Sequence, residues 1–167
     1  MNKQTKKIVF SALMAALVCM ATMIIKIPSP LKGYLNLGDG IVLLSGWLLS
    51  PAYAFLAAGL GSALADVFSG YLLYAPVTFL IKGGMALIAF YGFRLLNKRI
   101  GNLASRIIIG ILAELVMVFG YYVFEGFLYG FIPSLVNILP NACQGIAGII
   151  IAVVFINILK KRKLPLE

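Results

Sequence analysis

Residues 105–128 read SRIIIGILAELVMVFGYYVFEGFL, an apolar run that contains three charged side chains. A helix needs roughly 20 consecutive apolar residues to cross the hydrocarbon core of a bilayer, so this stretch predicts a membrane-spanning helix. The rest of the chain is similar: 62% of its 167 residues are hydrophobic, 11% are charged, and the mean hydropathy is +1.05. Soluble domains are about 45–50% apolar and about 25% charged. The composition therefore excludes a water-soluble globular domain and a disordered chain.

Apolar runs of this kind recur along the whole sequence. We expect an all-α integral membrane protein with a single domain, residues 1–167, folded as a six-helix transmembrane bundle. The second run and the third are divided at Pro51. Because proline fits the first turn of a helix but not its interior, Pro51 indicates that a new helix begins there. Six spans leave no room for a soluble catalytic or nucleotide-binding domain. The predicted spans are residues 8–26, 37–50, 52–71, 75–95, 105–128 and 133–159.

The basic residues predict the orientation. Eleven of the 14 lysines and arginines lie before the first span, between the fourth and fifth spans, or after the sixth. These three places fall on one side of a six-span protein, and the positive-inside rule makes that side cytoplasmic. We therefore expect both termini in the cytoplasm. The net charge of +9 is explained by this topology rather than by nucleic-acid binding.

The residue types limit the possible chemistry. The sequence has no histidine, which excludes histidine-based acid–base catalysis and histidine-ligated metals. Its two cysteines, Cys19 and Cys143, lie far apart in apolar runs. A GxxxxGK[ST] phosphate-binding loop does not occur in the sequence. We expect no metal and no cofactor.

Polar side chains inside the predicted spans are the strongest functional signal, because a charged group in the membrane interior costs several kcal/mol unless it is paired or lines a wet cavity. Spans three to six each carry such groups at helical spacing, mostly in their outer halves. We predict one cavity that opens outward and is framed by tyrosines. Polar contacts that only hold helices together, such as Lys82 with Glu114 or Asp66, are the alternative. The predicted binding residues, with one from the first loop, are Asn36, Asp66, Lys82, Glu114, Tyr121, Glu125, Asn137, Asn141 and Gln144.

The segment between the first two spans, residues 26–40, reads KIPSPLKGYLNLGDG. Its two prolines and its glycines prevent a continuous helix, yet the segment is too apolar for a purely solvated loop. Asn36 or Asp39 could cap the second helix. We expect the segment to form a lid over the cavity. With both signs of charge, amides and tyrosines, such a cavity suits a small planar ligand that is neutral or zwitterionic rather than a polyanion.

Four short motifs resemble those of the S components, the substrate-binding membrane subunits of energy-coupling factor (ECF) vitamin transporters. The resemblance covers nearly the whole chain, and the third and fourth motifs are similar to those of the pyridoxine, hydroxymethylpyrimidine and pantothenate-type members. The motifs are Ala12-Leu-Met-Ala-Ala16 on helix one, Tyr34-Leu-Asn-Leu-Gly-Asp39 leading into helix two, Ile81-Lys-Gly83 on helix four and Leu139-Pro-Asn-Ala-Cys-Gln-Gly145 opening helix six.

The resemblance implies a transport function and partners. The chain would capture a vitamin or precursor at the outer face of a bacterial plasma membrane, with vitamin B6 or a hydroxymethylpyrimidine-like compound favoured. Release inside would require a coupling transmembrane subunit and two ABC-type ATPases, since the chain lacks its own phosphate-binding loop. Ala12 and Ala16 would form the docking face for the coupling subunit. The resemblance also implies, from the positions that match the family's motifs, that the ligand contacts are Asn36, Lys82, Asn141 and Gln144.

Two other classes of protein are alternatives to this interpretation. A solitary secondary transporter would use Asp66 or Glu114 to carry a coupling proton, but the sequence shows no clear pair of repeated halves. An integral-membrane enzyme would need a nucleophile–base set or a metal cluster, whereas the carboxylates here are scattered singly. We therefore expect a protein that is not an enzyme.

Overall fold

A computed structural model describes residues 2–31 and 33–161 and consists mainly of long helices. Five helical segments are long and apolar enough to cross a membrane, and they coincide with five of the six predicted runs. The last segment is a rod of three elements, in which a 3₁₀ turn, Leu135–Asn137, joins two α-helices. The helices are α1 (Lys3–Ile24), α2 (Gly38–Leu48), α3 (Pro51–Phe68), α4 (Ala75–Ile100), α5 (Asn102–Tyr129), α6 (Phe131–Ser134) and α7 (Ile138–Lys161).

Helix α2 is the short member of the bundle. Its 11 residues extend about 16 Å at a rise of about 1.5 Å per residue, which is roughly half the thickness of the hydrocarbon core. The helix ends just before Pro51, which occupies the first turn of α3 as predicted. Gly46 lets α2 pack closely on α4, because a Cβ there would lie 2.5 Å from the carbonyl oxygen of Ala86. The last turns of α2 are thereby held close against α4.

The helices extend beyond the predicted spans at their charged ends. The fourth span was predicted to end at residue 95, but α4 continues to Ile100 through Lys98 and Arg99. Polarity marks where a helix leaves the hydrocarbon, whereas the helix itself ends at Gly101, whose φ of +83° favours glycine. The basic cluster predicted after the sixth span continues into residues 162 and 163, outside the described part of the chain.

The distribution of polarity is that of a membrane protein. Large apolar side chains such as Phe127 and Ile132 are exposed on the outside of the bundle, where lipid would solvate them. Fifteen polar or charged residues are buried among the described residues. The apolar core contains Leu43, Met85 and Met117. Apolar side chains can face lipid at no cost, whereas polar groups inside a membrane protein are costly to bury. The buried polar groups therefore indicate a function.

The first loop forms a small hairpin. Its strands, β1 (Ile27–Pro28) and β2 (Tyr34–Leu35), pair antiparallel, with Ile27 opposite Leu35 and Pro28 opposite Tyr34. The chain then turns into α2, where the Asn36 side chain accepts a hydrogen bond from the Gly38 N–H at 2.9 Å. Of the two predicted caps, Asn36 thus stabilises this turn, while the Asp39 side chain is engaged elsewhere. The hairpin also brings Tyr34 and Asn36 to the end of the bundle that carries most of the buried polar groups.

Candidate functional site

A cavity lies beneath the hairpin. It is narrow, with a volume of about 40 Å³, and it is open at its mouth. Its lining comes from the first loop, from the connection between α3 and α4, and from α1, α3, α4, α5 and α7. The lining residues are Thr22, Ser29, Gly33, Tyr34, Asn36, Ser62, Asp66, Tyr71, Tyr74, Thr78, Lys82, Tyr121, Glu125, Asn141 and Gln144.

A buried ion pair connects α2 to α4 beside the cavity. Lys82 donates to Asp39 Oδ1, and the two side chains are 3% and 0% exposed. The amide of Gln144 donates to Asp39 Oδ2 at 2.7 Å and accepts from the backbone N–H of Asn36 at 2.8 Å. This chain of contacts, which we call the Asp39 network, links α2, α4 and α7 to the loop. The alternative pairings of Lys82 with Glu114 or Asp66 are wrong, since the described ion pair is with Asp39.

Asp66 lies on the cavity wall under the hairpin. Its Oδ1 accepts a hydrogen bond from the Tyr34 hydroxyl at 2.7 Å. Burial, followed by the neighbouring carboxylate of Asp66, raises the pKa of Tyr34, so this hydroxyl keeps its proton and can donate. Asp66 is 6% exposed, and its Oδ2 is buried with no hydrogen-bond partner in residues 2–31 and 33–161. One oxygen therefore anchors the hairpin, and the other has no aligned donor among the described residues, although the Thr78 hydroxyl lies near the carboxylate.

Glu125 is held by neutral donors. The Asn137 amide donates to both of its oxygens at 2.9 Å, and the Tyr74 hydroxyl donates at 3.3 Å. Asn137 belongs to the 3₁₀ turn and does not line the cavity. It therefore positions Glu125. Both carboxylate oxygens already have donors, in contrast to Asp66.

Tyrosines form much of the cavity wall. The rings of Tyr34 and Tyr71 lie 4.9 Å apart, and the hydroxyl of Tyr121 donates to Thr78 at 3.0 Å. The ammonium group of Lys82 lies 5.6 Å from the centre of the Tyr121 ring. Ring faces of this kind contribute apolar area and attract cations. The wall is therefore suited to a flat ligand.

The structure brings seven of the nine predicted residues to one cavity, and Glu114 and Asn137 are the two outside it. Glu114 packs against α7, where Gly145 and Gly148 make room for it: a Cβ on Gly148 would lie 3.1 Å from Glu114 Oε1 and 2.8 Å from Asp39 Cβ. It is 5% exposed, and neither carboxylate oxygen has a hydrogen-bond partner in the described chain. Contact of the other seven with a substrate stays a prediction.

Replacing Glu114 with glutamine is expected to change ligand affinity less than about threefold and to leave stability unchanged or improved. The amide fills the same space, and an ionised carboxylate without donors would be destabilising there. Isothermal titration calorimetry and thermal unfolding in detergent would measure both effects. Glu114→Leu serves as the comparison, because it tests whether the site needs any polar group. A large loss of affinity in Glu114→Gln would show that Glu114 acts on the ligand.

Sequence reasoning missed the main role of Asp39, for which the pattern indicated only a helix cap. One signal was available in the sequence. A lysine inside the membrane needs a counter-ion, and the chain offers only five acidic residues as candidates. The tyrosines were predicted to frame the cavity. However, the hydrogen bonds from Tyr34 to Asp66 and from Tyr74 to Glu125 depend on the path of loops, which no helical spacing predicts.

Comparison with known proteins decides the family. Residues 2–161 match the family model described as "ECF-type riboflavin transporter, S component". This chain belongs to the S components of ECF-type transporters. The predicted resemblance is confirmed, and the family consists of transporter subunits rather than enzymes.

Similar proteins cover nearly the whole S component. A protein of Pyrococcus woesei, named "Uncharacterized protein in gap 3'region", is 38% identical over 151 residues, 89% of this chain and 98% of the relative. The "Thiamine precursor transporter HmpT" of Lactococcus lactis subsp. cremoris (strain MG1363) is 25% identical over 163 residues, 96% of this chain and 91% of the relative.

Solved structures share the fold of this S component. The S component for biotin from an ECF-type ABC transporter matches with a TM-score of 0.69 and 21% identity, covering 96% of this chain and 95% of that one. A second, the S component of a bacterial ECF transporter, matches with a TM-score of 0.67 and 22% identity, covering 96% and 97%. The predicted all-α membrane fold is thus confirmed.

Proposed function

We propose that this S component binds a small vitamin or vitamin precursor at the outer face of the cell membrane and releases it inside, driven by a coupling transmembrane subunit and two ABC-type ATPases. The observation that carries the proposal is the polar, tyrosine-walled cavity covered by the hairpin. Ionisable groups inside a membrane protein that face an interior cavity commonly mark a substrate pathway. The termini are cytoplasmic in this proposal, as the basic residues predict.

The favoured substrate is vitamin B6 or a hydroxymethylpyrimidine-like compound. The similar Lactococcus protein is named as a thiamine precursor transporter, which supports a precursor of this size. Tyrosine faces, amides and carboxylates together suit one flat heteroaromatic ring with several hydrogen-bonding groups. Biotin in a structural neighbour and riboflavin in the family description indicate that this fold accommodates different ligands, so the lining residues decide which one binds.

Native mass spectrometry of the gently extracted protein tests the binding function. We expect a retained small molecule, and calorimetry with a panel of vitamins should then identify its class. A protein that is empty and ignores the panel would contradict the proposal. Uptake that needs a proton gradient and survives ATP depletion would instead support a solitary transporter.

The docking face is proposed on α1. Ala12 and Ala16 are exposed one turn apart, between exposed apolar side chains such as Leu13 and Leu17. Small residues at this spacing let a second helix approach closely. The face belongs to the outside of the bundle and takes no part in the cavity. Substrate binding and partner docking therefore use different surfaces.

Substituting tryptophan for Ala12 or Ala16 is expected to abolish uptake while leaving ligand affinity within about twofold, because the bulky ring blocks a close helix contact far from the cavity. Uptake is measured in cells that also express the coupling subunit and the ATPases, and affinity is measured on purified protein. Ala104→Trp is the matched control. Ala104 is also an exposed alanine, but it lies on another helix, near the start of α5. Loss of binding together with uptake, or an equal effect of Ala104→Trp, would contradict the docking face.

A further inference from the structure

The charges around the cavity are unbalanced. Its lining contains two carboxylates, Asp66 and Glu125, and one ammonium group, that of Lys82. Lys82 already pairs with Asp39 below the cavity, so its charge is compensated inside the protein. Lys26, at the rim, donates to Ser69 at 2.7 Å and lies 5.8 Å from the Tyr34 ring centre. Among the described lining residues, negative charge therefore exceeds positive charge.

The two carboxylates, Asp66 and Glu125, differ in how many of their oxygens already accept a hydrogen bond. Both oxygens of Glu125 accept hydrogen bonds from neutral donors. Asp66 uses only Oδ1, for Tyr34, and its Oδ2 has no hydrogen-bond partner among the described residues, although Asp66 is 94% buried. A buried acceptor without a donor is unfavourable, and nearly all such groups in folded proteins find one. A donor from the ligand would satisfy it.

We propose that Asp66 binds an amino group of the substrate, and that the substrate is an amino-substituted heteroaromatic, such as an aminopyrimidine or an aminomethylpyridine. This inference rests on the proposed vitamin-binding function and specifies the substrate class. An amine or ammonium donor to a carboxylate forms a hydrogen bond about twice as strong as a neutral pair. The rings of Tyr34 and Tyr71, 4.9 Å apart on the same side of the cavity, add a surface that attracts positive charge. An anionic ligand would instead face Asp66 and Glu125 without a free cation on the described lining.

Matched ligands that differ only in the amino group test the proposal. The first pair is pyridoxamine and pyridoxine, and the second is 4-amino-5-hydroxymethyl-2-methylpyrimidine and its 4-hydroxy counterpart. Calorimetry on the purified full-length protein gives a ratio of affinities for each pair. From the strength of hydrogen bonds to charged groups, we expect the amino compound of at least one pair to bind about 10- to 100-fold more tightly.

Asp66→Asn assigns the preference to this side chain. The asparagine oxygen can still accept from Tyr34, so the hairpin anchor is kept, whereas the negative charge is lost. We expect the preference to fall to less than about threefold. Tyr34→Phe is the control, because it removes the anchor but keeps the carboxylate, so it should weaken both members of a pair alike. Glu125→Gln is a second control, expected to preserve most of the preference, because the Glu125 oxygens already have donors.

The outcomes separate this proposal from the proposed function. Equal affinities within both pairs, or a preference that persists in Asp66→Asn, would overturn the role of Asp66 and leave vitamin binding intact. Failure of every compound in the panel to bind would overturn the proposed function and this inference with it. A preference that vanishes only in Asp66→Asn supports the inference.

Discussion

Replacing Lys82 with methionine is expected to lower the free energy of unfolding by about 3–5 kcal/mol, because removal of one partner leaves the other charge buried and uncompensated. Asp39 is fully buried and, within residues 2–31 and 33–161, would retain only the Gln144 amide as a side-chain donor. In a chain of this size such a loss lowers the melting temperature by roughly 10 °C. Ligand binding should be lost as well, since Lys82 lines the cavity and its partner Asp39 lies in the first turn of α2.

Thermal unfolding of the detergent-solubilised protein measures this loss, compared at one heating rate because unfolding of such proteins is commonly irreversible. The double variant Lys82→Met with Asp39→Asn removes both charges and should recover most of the stability. Lys26→Met is the matched control: this lysine is exposed and bonds only to Ser69 among the described residues, so its loss should change stability by less than about 1 kcal/mol. Equal effects of Lys26→Met and Lys82→Met would contradict a structural role for the buried pair.

The fold was predictable because hydropathy reports directly on membrane insertion. The predicted run 105–128 and helix α5 differ by three residues at the start and one at the end. The helical period also identified the correct inner faces, which is why Tyr121 and Glu125 reach the same cavity as Lys82. The sequence could not give the depth of the cavity. Glu114 shares the stripe of Glu125 but lies 11 residues away, about 16 Å along the helix axis, and so falls outside it.

The remaining contacts depended on structure that local patterns do not encode. Asn137 was predicted to share a helical face with Asn141 and Gln144, but a 3₁₀ turn ends at Asn137 and places its amide against Glu125. The pairing of Asp39 with Lys82 joins residues 43 positions apart. Such a contact follows from the packing of α2 against α4, and helical spacing within one segment cannot predict it.

Replacing Gln144 with leucine is expected to speed ligand release by about 10- to 100-fold. Gln144 is buried and bonds in two directions, to the backbone N–H of Asn36 in the loop and to the carboxylate of Asp39. Leucine fills similar space but makes neither hydrogen bond, and a bond to a charged group contributes roughly 1.5–3 kcal/mol. The contact between α7 and the segment that covers the cavity would thus be lost, so the closed loop would open more often.

Hydrogen exchange distinguishes this effect from a simple loss of ligand contact. In Gln144→Leu, the amides of residues 33–36 should exchange faster even without ligand, because the Asn36 N–H loses its acceptor. Asn141→Leu is the matched control: Asn141 lines the cavity less than one turn away on α7 and makes no side-chain hydrogen bond within the described residues. This control should weaken ligand binding without changing exchange in the loop. Unchanged exchange in Gln144→Leu would mean that the hairpin is held by Tyr34 and Asp66 alone, and the off-rate should then respond to Tyr34→Phe instead.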